Sequence, residues 1–146
     1  MKKTLTTIGL GAALALGSSL VQADSARQLV LDFVELAFVD KQVREAFDRY
    51  VAPDYIQHNP DTADGAEPAI AVLEGFQQQF PAFSYEVKRI ASEDDIVFLH
   101  VHGKTSPDDL GAAIVDIFRI EDGRIVEHWD VMQPVPTESV SKHPMF

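Results

Sequence analysis

A chain of 146 residues with 23 acidic residues, 12 basic ones and no cysteine is long enough for one buried core and excludes disulfide or thiol chemistry. Its net charge of −11 argues against nucleic acid or an anionic membrane surface as partner. The same charge disfavours a strongly anionic ligand, so a neutral, partly apolar small molecule fits best.

Residues 1–23 read as a secretory signal peptide. Lys2 and Lys3 give a basic start, Leu5 to Leu20 is apolar and small, and Val21-Gln22-Ala23 is a small-residue cleavage pattern. Cleavage after Ala23 would leave a single domain, 24–146, with 10 basic residues against 23 acidic ones, net −13. The expected location is periplasmic or secreted, with no membrane attachment once the leader is removed.

In the mature chain, Leu29, Val30, Phe33, Val34, Ala37 and Phe38 recur at three- and four-residue spacing. They predict an amphipathic helix over 25–38, capped by Asp24 or Ser25. Asp40 is the expected cap of a second helix, 41–51, which Pro53 stops. Tyr55 to Pro60 reads as an extended segment, since Pro60 keeps Asn59 out of the helical region. A third helix is expected over 67–80, burying Ile70, Leu73, Phe76 and Gln77 or Phe80. After Pro81 the pattern turns to β. One strand covers 84–91, with Tyr85, Val87 and Arg89 on one side. A second covers 96–104, with Val97, Leu99 and Val101 on one face and Phe98, His100 and His102 on the other. Two more flank the turn Glu121-Asp122-Gly123-Arg124. Residues 133–146 have no periodicity and read as an irregular tail. Three helices followed by a four-stranded antiparallel meander make an α+β domain whose curved sheet, wrapped over the helices, leaves a pocket.

Asp116, His128 and Asp130 lie within strands 112–120 and 125–132, which are rich in Ile, Val and Phe, and charges in such strands are costly unless paired or facing a cavity. Which residues join Asp116 depends on the turn. A two-residue turn places Asp116 opposite Trp129. A three-residue loop with Gly123 as a left-handed bulge, somewhat better suited to Glu-Asp-Gly-Arg, places it opposite His128, with Ile114 opposite Asp130.

With these residues in view, the chain resembles the SnoaL-like branch of the nuclear-transport-factor-2-like superfamily, in particular its aldol-condensation-type group. The likeness runs from about Ala26 to Phe146. It is carried by Tyr55 to Pro60 (YIQHNP), Val101-His102, Asp116 to Arg119 (DIFR) and Gly123 to Gln133 (GRIVEHWDVMQ). It implies a cone-shaped α+β barrel with an internal pocket and acid–base chemistry by a carboxylate and a histidine. It further implies no metal or organic cofactor, and a homodimer paired through the outer sheet face.

Aldol-type ring closure and keto–enol isomerisation both need a base beside a carbonyl and a donor for the oxyanion that forms. Asp116 is the candidate base, because apolar surroundings from Ile114 and Phe118 disfavour its charged form and make it a better proton acceptor. His58, His102 or His128 would donate to the oxygen or relay the proton. Tyr55, Asn59, Phe98, His100, Trp129 and Asp130 complete the expected ligand-contacting set. Two other readings of these residues are a non-catalytic binding protein using the same pocket and a metal site built from His100, His102 and His128.

Overall fold

The protein is described by a computed structural model whose backbone is defined over residues 11–146 and whose side chains are defined from residue 23. The expected leader, 1–23, falls almost wholly outside the described side chains. Among the described residues the chain forms α1 (Gly11–Val34), α2 (Val43–Tyr50), β1 (Val51–Gln57), α3 (Ala66–Gln79), β2 (Ser84–Glu93), β3 (Ile96–Lys104), β4 (Ala112–Glu121) and β5 (Arg124–Pro134). The fold is α+β, as expected from helical patterns followed by strand patterns. No helix among the described residues is long and apolar enough to cross a membrane.

Helix α1 presents Ala26, Val30, Phe33 and Val34 to the core. It runs unbroken through Asp24 and Ser25, so neither caps its start as expected. Beyond Val34 the helix widens to a π turn over Glu35–Val39, closed by the Asp40 N–H to the Glu35 carbonyl at 2.9 Å. Asp40 therefore ends this segment, and Gln42 is the N-cap of α2, without a side-chain capping bond. In α3 only Ala69, Ile70 and Gln77 are buried; Leu73 and Phe76 are half-buried because their face borders a cavity rather than packed side chains.

The sheet has five strands in the order β1-β5-β4-β3-β2, one more than the sequence pattern indicates. The extra strand, β1, pairs parallel to β5, with Gln57 beside His128, which makes the sheet mixed. It curves over the helices without closing into a barrel. Pro53 lies where β1's pairing is interrupted, between Val51 and Ile56, and an edge strand tolerates a missing N–H there. Strand β2 shifts register between Val87 and Arg89. Arg89 is thereby turned away from Tyr85 and Val87 and meets His100 at 3.0 Å.

The β4–β5 hairpin closes through a two-residue turn, Asp122 at φ 49° and Gly123 at φ 73°, with Glu121 opposite Arg124. Positive φ at both positions is the type I′ geometry that matches strand twist. The favoured bulged loop is absent from the turn. A bulge occurs two pairs further on instead: Ile120 faces Ile125 but Arg119 faces Glu127, leaving Val126 extra. Asp116 thus lies opposite Asp130, and His128 opposite Phe118, a register that neither turn alternative gave. One inserted residue still restores the parity of the second alternative, so Ile114, Asp116, Phe118, His128 and Asp130 share the inner face and Trp129 the outer one.

Backbone packing before β4 is tight. Gly111 has φ +79°, and a Cβ there would sit 2.2 Å from the Gly103 carbonyl oxygen. Gly111→Ala is expected to destabilise the fold by about 1–3 kcal/mol, measurable by urea unfolding. An unchanged midpoint would show that this loop can shift freely.

Candidate active site

A cavity of about 230 Å³ opens between the inner face of the sheet and the three helices, just below the roughly 300–1,000 Å³ common for small-molecule sites. Phe33, Phe38, Phe47, Phe76, Phe83 and Phe118 form its apolar wall. Tyr55, Gln57, Asn59, Tyr85, Asp116, His128 and Asp130 form its polar floor. Among the described residues the lining contains no Lys or Arg.

The polar residues come from four strands and one loop. Asp116 and His128 are 7% and 9% exposed and meet directly, His128 Nε2 lying 3.0 Å from Asp116 Oδ1. The Tyr85 hydroxyl donates to Asp116 Oδ2 at 2.5 Å. Burial first, and then the neighbouring Asp116 carboxylate, push the Tyr85 phenol well above its ordinary range, so it stays a protonated donor at neutral pH. The opposite nitrogen, His128 Nδ1, lies 3.1 Å from Gln57 Oε1. Asn59 Nδ2 donates to Asp130 Oδ2 at 2.7 Å.

Strand parity explains this gathering. Tyr55 and Gln57 alternate onto the inner face of β1, and Asn59 follows with the same phase. Gln57 Nε2 donates to the Tyr55 hydroxyl at 2.7 Å. That oxygen accepts a bond while its own proton remains available to a cavity occupant. Tyr55 is likewise held as a neutral phenol by burial, reinforced by Asp116 and Asp130.

Several expected site residues lie elsewhere. His100 and His102 project from the outer face of β3 and stack on Phe146, at centroid distances of 5.6 and 4.1 Å. His102 Nε2 also donates to the Leu110 carbonyl at 2.9 Å. Phe98 shares that outer face and is partly exposed. His58 stacks on Trp129 at 4.7 Å and bonds Glu127 at 2.8 Å. Glu127 is held below the usual carboxylate range by His58 and Arg119, the latter's Nε donating to it at 2.7 Å. His58, His100, His102, Phe98 and Trp129 are therefore outside the cavity, whereas Asp116, His128, Tyr55, Asn59, Ile114, Phe118 and Asp130 line it.

The three-histidine metal arrangement cannot form, because His100 and His102 face away from His128. The group among the described residues that could hold a divalent cation is Asp116, His128 and Asp130, whose ligand atoms lie within 4.8 Å of one another. Gln57 and Tyr85 are polar contacts that the sequence reading did not single out. Gln57 was accessible from parity: two residues from Tyr55 and two from Asn59, it belongs with them, and His58 does not. Tyr85 carried no comparable signal, since nothing in β2 shows that its hydroxyl reaches across β3.

Comparison with known proteins agrees with this architecture. A family model for the SnoaL-like domain matches residues 30–128. No functionally curated protein matches the chain. Among solved structures, AclR, a proposed hydroxylase from Streptomyces galilaeus, superposes with a TM-score of 0.63 at 23% identity, over 76% of this chain and 90% of AclR. A proposed SnoaL-like polyketide cyclase from Jannaschia sp. CCS1 gives 0.65 at 18% identity, over 76% and 87% of the two chains. A proposed isomerase of the SnoaL-like family from Agrobacterium tumefaciens gives 0.61 at 17% identity, over 77% and 98%. Likeness at these identities establishes the shared fold.

Proposed function

Because the chain belongs to the SnoaL-like domain family, we propose that it is an acid–base enzyme acting on a small, partly apolar carbonyl compound, by aldol-type cyclisation or condensation or by isomerisation. The observation that carries this reading is the buried Asp116–His128 pair on the floor of an aromatic cavity. In the proposed reaction the Asp116 carboxylate takes a proton from the carbon beside the carbonyl. The Tyr55 hydroxyl donates a hydrogen bond to the enolate oxygen, and the Phe side chains exclude water around it. Returning the proton to a different carbon completes an isomerisation. Attack of the enolate carbon on a second carbonyl, with that oxygen taking the proton from Asp116, completes an aldol closure. Each step conserves protons and electrons without a redox partner.

A binding role without turnover uses the same cavity, and one feature favours it: both His128 nitrogens and both Asp116 oxygens already have protein partners. Deuterium exchange in D2O separates the two readings. Small cyclic ketones and 1,3-diketones incubated with the protein should lose their α-protons faster than in buffer, as followed by proton NMR. Binding of these compounds without accelerated exchange would favour the non-catalytic role.

Two further proposals complete this reading. The basic start and apolar run of residues 1–20 support export, which an extracytoplasmic product beginning at Asp24 would verify. Partly exposed Phe98, Val115 and Val131 support pairing of two copies through the outer sheet face, which light scattering can test.

A further inference from the structure

We infer that Gln57 is a positioning residue that fixes the tautomer of His128 and so places a proton between His128 and Asp116. This deepens the function proposed above and rests on it for its catalytic consequence only. The argument begins with the backbone. Gln57 Oε1 lies 2.9 Å from the Asn59 backbone N–H, and a backbone N–H can only donate. That end of the Gln57 amide is therefore the oxygen. Its other end, Nε2, donates to the Tyr55 hydroxyl, which agrees with this orientation.

An amide oxygen accepts and never donates, so His128 Nδ1, at 3.1 Å from it, must carry a hydrogen. Neutral imidazole has one N–H. With that hydrogen on Nδ1, Nε2 would turn a lone pair toward Asp116 Oδ1 at 3.0 Å. Two lone pairs repel at that distance unless a proton lies between them. The pair therefore holds a second proton, and for Asp116 to act as the base proposed above that proton belongs to an imidazolium beside a carboxylate. Without Gln57 the neutral ring would place its one hydrogen on Nε2 and donate it to ionised Asp116, and the second proton would have no reason to stay. Gln57 touches no reacting atom in this scheme. It determines how many protons the reacting pair carries.

Nitrogen-15 NMR of histidine-labelled, substrate-free protein reads the tautomer directly, with His128→Gln identifying the resonance. Wild-type protein should show a protonated Nδ1. In Gln57→Met, which keeps the side-chain length but lacks the acceptor, the proton should move to Nε2. Asp116 then remains ionised, but the positive charge of the imidazolium that offsets the developing enolate is lost, so α-proton exchange should fall roughly 10²-fold in kcat, within the range for acid–base groups, while KM is retained. Gln57→Glu keeps an acceptor for both N–H groups and should keep Nδ1 protonated. A wild-type ring with bare Nδ1, or a Gln57→Met ring still protonated there, would overturn the inference. The wild-type spectrum alone decides the matter if Gln57→Met does not fold. Wild-type protein with the stated tautomer but no exchange activity would instead count against the proposed function and leave the role of Gln57 in setting the tautomer intact.

Discussion

Asp116→Asn is expected to lower α-proton exchange by roughly 10²–10⁴-fold while leaving the fold and the cavity's ligand affinity nearly unchanged. The hydrogen-bond inventory explains why the two effects separate. In the variant the amide oxygen accepts from the Tyr85 hydroxyl, replacing the bond now made to Asp116 Oδ2. The amide nitrogen donates to His128 Nε2, which with hydrogen on Nδ1 presents a lone pair. Every polar group at the site keeps a partner, and only the exchangeable proton is removed. Urea unfolding should therefore shift by less than about 1 kcal/mol. Asp116→Leu, by contrast, leaves Tyr85 and His128 without partners in a buried setting and should cost about 1–3 kcal/mol for each stranded group. Asparagine-variant exchange at the wild-type rate would show that Asp116 is a structural ion-pair partner.

Insertion of one alanine between Val126 and Glu127 is expected to abolish activity and to destabilise the protein by more than about 3 kcal/mol. Val126 is already the extra residue between the pairs Ile120–Ile125 and Arg119–Glu127. With a second extra residue and the same bulge, Phe118 would face Glu127 and every residue of β5 beyond the insertion would change face. The indole of Trp129 would enter the cavity floor, His128 would turn to solvent, and Asp116 would keep a buried charge without its imidazole. Removing one member of a buried pair typically costs roughly 3–5 kcal/mol. Deletion of Val126 is the control: it leaves the pairs on either side of the bulge in register, so it should keep His128 on the inner face and preserve activity. A stable, active insertion variant would mean that the bulge widens to hold both residues.

The same hairpin illustrates what could be read in the sequence and what could not. Runs rich in Ile, Val and Phe identified the two strands, and Asp122-Gly123 identified their turn, because both signals are local. The bulge at Val126 has no residue signature; valine fits a regular strand equally well. It exists because Ile125 and His128 both pack on the inner face although two residues separate them, so one of the two must be extruded, and that is a tertiary demand. The inner-face set was reached through a turn geometry that does not occur, since registers differing by two residues share parity. Strand β1 was hidden by Pro53 and by a partner, β5, some seventy residues away. The histidines were the least legible residues. An imidazole suits a cavity, a stack on Trp129 or a cover under Phe146 equally well, and only strand phase assigns each to its face. The aromatic wall, including Phe33 and Phe47 of the helices, was visible as core but not as cavity, because a spacing pattern does not show where packing stops.

The most direct test of the central claim is a crystal structure with a phenol bound, its ring and oxygen standing in for a planar enolate. The phenol oxygen should lie within hydrogen-bonding distance of the Tyr55 hydroxyl, with the adjacent ring carbon about 3–3.5 Å from an Asp116 carboxylate oxygen. A phenol seated instead on the outer face beside Trp129, with the cavity closed by Phe38 and Phe76, would contradict the claim that proton transfer takes place at Asp116.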